Sequence, residues 1–263
     1  MISKTKKISK QELEVFYNKY NRREYIHPDP LEFVYNYNSK LDKEITAFIA
    51  SSLSYGNVKH ILKSIAKVLG IMHPSPSLYL QNQSEAVIKK DFSTFKYRFT
   101  KGSEISSLLI ALKKILKKYS SLEDCFLLGY SQNDKNVFSA TEKFVDILFH
   151  LMECKRSSLI PHPSKGSACK RLNLFLRWMV RNDDVDPGLW KSISPAQLIV
   201  PLDTHMIRVS IKFGFIPRKQ SSIKTALEVT HAFSKINPID PVKYDFSLTR
   251  VGIRSKLDID ILI

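Results

Sequence analysis

The sequence is short of acidic residues. Against 41 lysines and arginines stand 25 aspartates and glutamates, which leaves a formal charge of +16 and a pI near 9.6. Such an imbalance points to a polyanionic partner, most simply nucleic acid, or else to a surface of solvated cations. Cysteine is scarce as well. Cys125, Cys154 and Cys169 are an odd set without CxxC spacing, which argues against a disulfide framework, a zinc site or an iron–sulfur cluster and fits a reducing cytoplasm. No run approaches the about 18 apolar residues of a membrane span, and Met1-Ile-Ser-Lys-Thr-Lys-Lys lacks the apolar core of a signal peptide. There are only 8 glycines, while 43% of residues are hydrophobic, so the composition is that of a folded domain.

Period-two alternation is also missing, and helix signals fill its place. Ser9 with Glu12 forms a capping box ahead of Leu13, Phe16, Tyr17 and Tyr20, and Asp29-Pro-Leu-Glu32 repeats the signal with proline at the first helical position. Apolar residues recur at helical spacing through Ile45, Phe48, Ile49 and Leu53, then through Val58, Ile61, Leu62, Ile65 and Leu69. The break at Ser54-Tyr-Gly-Asn57 predicts a tight turn between two helices. From His73 to Thr100 prolines and polar residues interrupt the period. A helix is predicted from Ser103, and Ser120 with Glu123 and Ser139 with Glu142 read as further capping boxes. Ser222 to Ile236 and Asp240-Pro-Val-Lys-Tyr-Asp-Phe-Ser-Leu248 supply the last two helices. The expected fold is all-α. It is one unit over 1–263, made of two helical subdomains with a cleft between them. Residues 1–40 and 215–263 share one lobe, and 41–214 form the other, carrying a hairpin-like segment at 161–171.

The stretch from Pro161 to Gly214 concentrates the candidate chemistry. A polar turn (Ser164, Lys165, Gly166, Ser167) leads into the helix Lys170-Arg-Leu-Asn-Leu-Phe-Leu-Arg-Trp-Met-Val-Arg181. On a wheel of 100° per residue, Leu172, Phe175, Leu176, Met179 and Val180 form the apolar stripe, and Lys170, Arg177 and Arg181 fall in a band opposite. Between Lys155 and Asn182 there is no acid and there are seven lysines or arginines. That segment reads as a phosphate-binding face, with Lys165, Gly166, Ser167, Arg171, Arg177 and Arg181 as contacts, or as a solvated basic face behind a serine cap. Asp203 stands where the next helix begins, and an aspartate there is ordinarily an N-cap. His205 and Arg208 follow as packing or phosphate residues. Trp178, Trp190 and Tyr55 are candidates for stacking on a base, although large aromatics in helical proteins are usually core.

Leu202-Asp-Thr-His-Met-Ile-Arg-Val resembles the segment after the hairpin in the helix-hairpin-helix DNA glycosylase superfamily, the group with a Gly/Pro-rich loop and an essential aspartate. The likeness is greatest to a bacterial family of functionally unassigned proteins within it. It runs through Phe48-Ile-Ala-Ser-Ser-Leu-Ser-Tyr-Gly56, Lys170 to Arg181, Val185-Asp-Pro-Gly-Leu-Trp190, Leu202-Asp-Thr-His205 and Asp240-Pro-Val-Lys-Tyr-Asp-Phe246. The interval from Lys170 to Asp203 resembles that of the archaeal 8-oxoguanine glycosylases more than that of endonuclease III-like enzymes. The hairpin pattern departs from the usual one, since Pro161-His-Pro-Ser-Lys-Gly-Ser167 has a single glycine.

The resemblance implies a base-excision-repair N-glycosylase with abasic-site β-lyase activity, with an oxidised purine as the candidate base. It makes Lys170 the nucleophile and Asp203 the carboxylate that supports chemistry at the sugar. Lys165 is the alternative nucleophile. An amine attacks C1′ only in its neutral form, which desolvation and neighbouring cations favour, and the base must be flipped out of the duplex. The implied partner is damaged double-stranded DNA, bound by a monomer in the cytoplasm at the nucleoid. No metal, iron–sulfur cluster or other cofactor is expected, and no membrane. Two other readings are a non-catalytic DNA- or RNA-binding protein on the same scaffold and a scaffold protein whose basic face meets an acidic partner.

Overall fold

The computed structural model describes residues 8–154 and 156–254, with side chains as far as Arg250. These residues are predominantly helical. Tertiary contacts divide the chain into two compact units. One holds Met1–Ile26, Asp134–Val137 and Pro163–Ile263; the other holds His27–Asn133 and Phe138–His162.

The first unit opens with α1 (Lys10–Tyr20). The chain then builds the second unit from α2 (Lys40–Ser52), α3 (Val58–Ile71), α4 (Pro76–Asn82), α5 (Glu85–Asp91), α6 (Gly102–Tyr119), α7 (Leu122–Leu127) and α8 (Phe138–Leu151). It returns to the first unit with α9 (Lys170–Val180), α10 (Thr204–Lys212), α11 (Ile223–Ser234) and α12 (Asp245–Arg254). This division differs from the one expected from the sequence. α9 and α10 belong with the terminal helices, because α9 holds carboxylates of the C-terminal segment in ion pairs.

Side-chain caps set most of the helix starts. Ser9 Oγ accepts the Glu12 N–H at 3.2 Å while Glu12 Oε2 accepts the Ser9 N–H at 2.8 Å, the reciprocal box expected there. Asn57, Ser75, Ser84 and Ser222 cap α3, α4, α5 and α11 by the first half of that exchange, each side chain accepting a backbone N–H of the first turn. Four expectations shift. Pro30–Asn36 is a 3-10 helix capped by Asp29 rather than an α-helix. Ser120 closes α6 at φ +70°, and the α7 cap is Ser121, whose Oγ accepts the Asp124 N–H at 3.0 Å. Ser139 lies inside the first turn of α8. α12 begins at Asp245, five residues after Asp240, whose carboxylate is engaged by Arg181.

In the second unit the core is α2 and α6 with the helices around them. Ile45, Phe48, Ile49, Leu108, Leu109 and Leu112 are wholly buried, and Phe48 meets Phe144 edge-on at 5.7 Å. Each such side chain contributes roughly 1.5–3 kcal/mol relative to exposure. The buried Glu44 is satisfied by the start of α7, taking the Leu122 and Glu123 N–H groups at 2.8 and 3.1 Å. The interrupted segment 73–100 resolves into α4, α5 and a short antiparallel ladder, β1 (Lys96–Tyr97) with β2 (Thr100–Lys101), the one sheet among the described residues.

In the first unit α12 packs against α1 and α10. Its core gathers Phe175, Trp178, Trp190, Val229, Phe233 and Tyr244. Among the described residues no helix is long and apolar enough to cross a membrane.

Candidate functional site

α9 is entered through an unusual junction. Pro163–Lys165 makes one 3-10 turn, Gly166 has φ +78°, and Cys169, directly before the helix, sits at φ +47° with no side-chain cap. Ser167 Oγ takes the Cys169 N–H at 3.2 Å, and the Gly166 carbonyl takes the Ile223 N–H at 3.1 Å, tying the turn to α11. Lys170 is therefore the first residue of a helix whose position is held from outside it.

Asp203 is the N-cap of α10, and its two oxygens divide their duties. Oδ1 accepts the Met206 N–H at 2.8 Å, and Oδ2 faces Lys170 Nζ at 3.9 Å. That separation is a charge contact longer than a direct hydrogen bond. Both side chains are partly open, 35% for Lys170 and 22% for Asp203. A cation and a carboxylate from two helix starts thus meet at a place that solvent reaches.

Behind this pair lies a buried ionic network. Arg177 approaches Asp186 Oδ1 through Nε at 3.2 Å and Nη2 at 3.1 Å, and its Nη1 donates to Asp245. Arg181 donates to Asp186 through Nη1, reaches Asp183 Oδ2 at 2.8 Å and holds Asp240 Oδ2 at 2.9 Å. Asp183 also takes the Val185 and Asp186 N–H groups at 2.8 Å each and the Tyr17 hydroxyl at 3.0 Å. Both arginines are 3% exposed.

Two guanidinium groups therefore face four carboxylates, and the balance shows in their titration. Burial pushes Asp186 and Asp240 up against the opposing pull of the arginines. Burial also raises Asp245, which is pushed up to about 6; Arg177 opposes the rise, and the charge of Asp203 adds to it. Asp183 goes the other way. Burial would raise it, but the Arg181 charge and the N–H groups of Asp186 and Val185 hold it low. Asp203 and Asp245 are thus coupled by charge, which links the outer pair to the inner network.

The remaining expectations divide. Arg177 and Arg181 do not form an outward basic band. They are inside, because Asp183 and Asp186, just after the acid-free segment, and Asp240 and Asp245, far along the chain, fold over them. Trp178 and Trp190 are wholly buried, Trp190 meeting Phe175 edge-on at 5.2 Å, so neither ring is open to a base. Tyr55 lies in the second unit, half-buried, its hydroxyl engaged with the Tyr97 carbonyl and Thr100 Oγ1. Lys165, Gly166 and Arg208 are exposed, and Ser167, Arg171 and His205 are half-buried. His205 Nδ1 is buried with no hydrogen-bond partner among the described residues.

A family model described as "Protein of unknown function (DUF2400)" matches residues 29–254. The chain belongs to the DUF2400 family. No curated protein and no solved structure matches it. The DUF2400 match runs from the 3-10 helix before α2 through α12, so Lys170, Asp203 and all six members of the Arg–Asp network fall within it. Sequence reasoning overlooked Asp186 and Asp245. The available signal was the excess of aspartates after the acid-free stretch, at 183, 184, 186, 240 and 245, against two arginines four residues apart. Among the described residues no group of three or more His, Cys, Asp or Glu could hold a metal ion.

Proposed function

We propose that this DUF2400 chain is a DNA base-excision enzyme, an N-glycosylase with associated abasic-site β-lyase activity, in which Lys170 is the nucleophile and Asp203 its carboxylate partner. The observation that carries the reading is the 3.9 Å between Lys170 Nζ and Asp203 Oδ2, on two part-open side chains at the heads of two helices. In this mechanism Asp203 Oδ2 takes a proton from the lysine ammonium, and the neutral amine bonds to C1′ of the deoxyribose. The glycosidic bond breaks and its electron pair leaves with the base. Asp203 passes the proton it took to the departing base, and the carboxylate charge so restored steadies the oxocarbenium character that develops at C1′. Ring opening gives a Schiff base, and loss of a C2′ proton then expels the 3′ phosphate.

The substrate in this reading is damaged double-stranded DNA with the base flipped from the stack, an oxidised purine being the first to test. The helix-hairpin-helix glycosylase architecture, the monomeric state and a place at the nucleoid belong to the same proposal. The net charge of +16 supports a polyanionic substrate, and exposed Lys165 and Arg208 are its phosphate contacts.

A second reading, a non-catalytic DNA- or RNA-binding protein, is favoured by the cap geometry. Asp203 Oδ1 already satisfies the Met206 N–H, a sufficient structural reason for an aspartate there. Borohydride trapping on duplexes carrying an abasic site or 8-oxoguanine separates the two. An adduct that is lost in Lys170→Gln and abolished or greatly slowed in Asp203→Asn is the expected result. An adduct that persists in Lys170→Gln and disappears in Lys165→Gln moves the nucleophile. DNA binding with neither adduct nor base release establishes the second reading.

A further inference from the structure

The short ladder of the second unit gathers three locally unfavourable choices at one tip. The first is an aromatic ring in water. Of the 15 phenylalanines Phe99 alone is exposed, at 74%. The second is like charge. Lys96 pairs directly opposite Lys101 in the antiparallel register, so two ammonium stems share one face, an arrangement that destabilises a strand pair. The third is backbone conformation, since Arg98 stands at φ +49°, in the left-handed region that a side chain disfavours. None of Lys96, Arg98 and Lys101 has an ion-pair partner among the described residues.

The mount beneath this tip is stiff. Tyr97 turns inward, packs its ring against that of Tyr55 at 4.9 Å in a tilted contact and donates its hydroxyl to the Tyr55 carbonyl. Tyr55 Oη in turn lies 2.7 Å from Thr100 Oγ1, which lies 3.0 Å from Ser158 Oγ. Gly56 completes the clamp. It stands at φ +101°, a backbone conformation that a side chain disfavours, and Arg98 crosses over it, Nη1 2.6 Å from where a Cβ would lie and the guanidinium carbon 5.7 Å from the Phe99 ring. Tyr97 and Thr100, on one face of the ladder, are buried, and Lys96, Arg98, Phe99 and Lys101 project from the rest.

We infer that this tip is a binding site for nucleic acid with unstacked bases, single-stranded or locally unpaired. One base would stack on Phe99, and Lys96, Arg98 and Lys101 would contact the flanking phosphates. A polyanion relieves the Lys96–Lys101 repulsion, and a base covers the ring. A flat ring on a rigid mount among cations is the stacking-plus-charge arrangement that single strands require. An anionic bilayer is the competing polyanion, but it needs a broad apolar surface, and Phe99 is the sole exposed apolar side chain of the 96–101 segment. The inference does not depend on Lys170 and Asp203, which lie in the other unit.

Phe99→Trp in the full chain tests it directly, because Trp178 and Trp190 are buried and the new indole would be the exposed one. Titration with oligothymidylate is expected to quench that emission. Phe99→Ala is expected to weaken binding about 5- to 100-fold without changing thermal stability. The pair Lys96→Gln and Lys101→Gln is expected to lower the slope of log K against log salt by about 0.7 for each lost contact. Unquenched emission at saturation, or unchanged affinity in Phe99→Ala, overturns the site. Capture by anionic phospholipid vesicles with no binding of oligothymidylate assigns the tip to membranes instead. Borohydride trapping reads Lys170 separately, so quenching without an adduct, or an adduct without quenching, shows which of the two readings fails.

Discussion

Arg177 Nη2 lies 3.1 Å from Asp186 Oδ1, with the arginine 3% exposed and the aspartate not at all. The same carboxylate accepts from Arg181 through its other oxygen. Asp186 is thus the shared anion of two arginines one helical turn apart, and it holds the 183–186 loop against α9. Replacing a buried pair by apolar groups is often neutral, but removing one member leaves charge stranded. Asp186→Ala is expected to cost about 3–5 kcal/mol, read as a lower urea midpoint.

Asp245 gives this network a pH signature. Its carboxyl is raised from 3.8 when free to about 6 in the fold, by burial first and then by the charges of Asp203 and Asp186, against Arg177. Between those values the folded state holds more protons than the unfolded one, so this group's contribution to stability falls as pH rises from about 4 to about 6 and is level above. The unfolding free energy of the native chain minus that of Asp245→Asn should fall across that window. A flat difference would remove Asp245 as its source.

Asp203 allows structure and chemistry to be separated. Asparagine keeps an oxygen for the Met206 N–H, whereas alanine removes it. Asp203→Ala is expected to lose about 0.5–2 kcal/mol, and Asp203→Asn to unfold within a few tenths of a kcal/mol of the native chain. Loss of borohydride trapping in the asparagine variant at unchanged melting temperature would then report the carboxylate alone.

Gly188 holds the turn that follows the network. It stands at φ +58°, a Cβ would lie 2.4 Å from Asn182 Cβ, and its N–H reaches the Trp178 carbonyl at 3.1 Å. Gly188→Ala adds left-handed strain of about 1–2 kcal/mol to that collision. A thermal melt should show it less stable by at least the strain.

Trp190 belongs to the core. Trp190→Ala is expected to destabilise by about 3–5 kcal/mol, as removal of a buried aromatic does. Below its melting transition it should bind oligonucleotide as the native chain does, and a selective loss of binding would return Trp190 to the substrate surface.

Much of the fold was legible in the residues themselves. The Ser9 and Glu12 box, the break at Ser54 to Asn57, the buried face of α6 and the apolar stripe of α9 follow from spacing and capping, which act within a turn or two of chain. So does the position of Asp203 at a helix start. Side-chain partners across the fold were not legible. A helical wheel fixes the direction of Arg177 and Arg181 around α9 but carries no information on what packs there, and Asp240 and Asp245 arrive from about 60 residues further along the chain. The same limit hid the Phe99 tip, because two residues per strand leave no alternation to read. Tertiary structure alone decided which cations are spent inside, at Arg177 and Arg181, and which remain outside, at Lys96, Arg98 and Lys101. Burial of a charge depends on whether a carboxylate is folded onto it, and that is a property of the assembled chain.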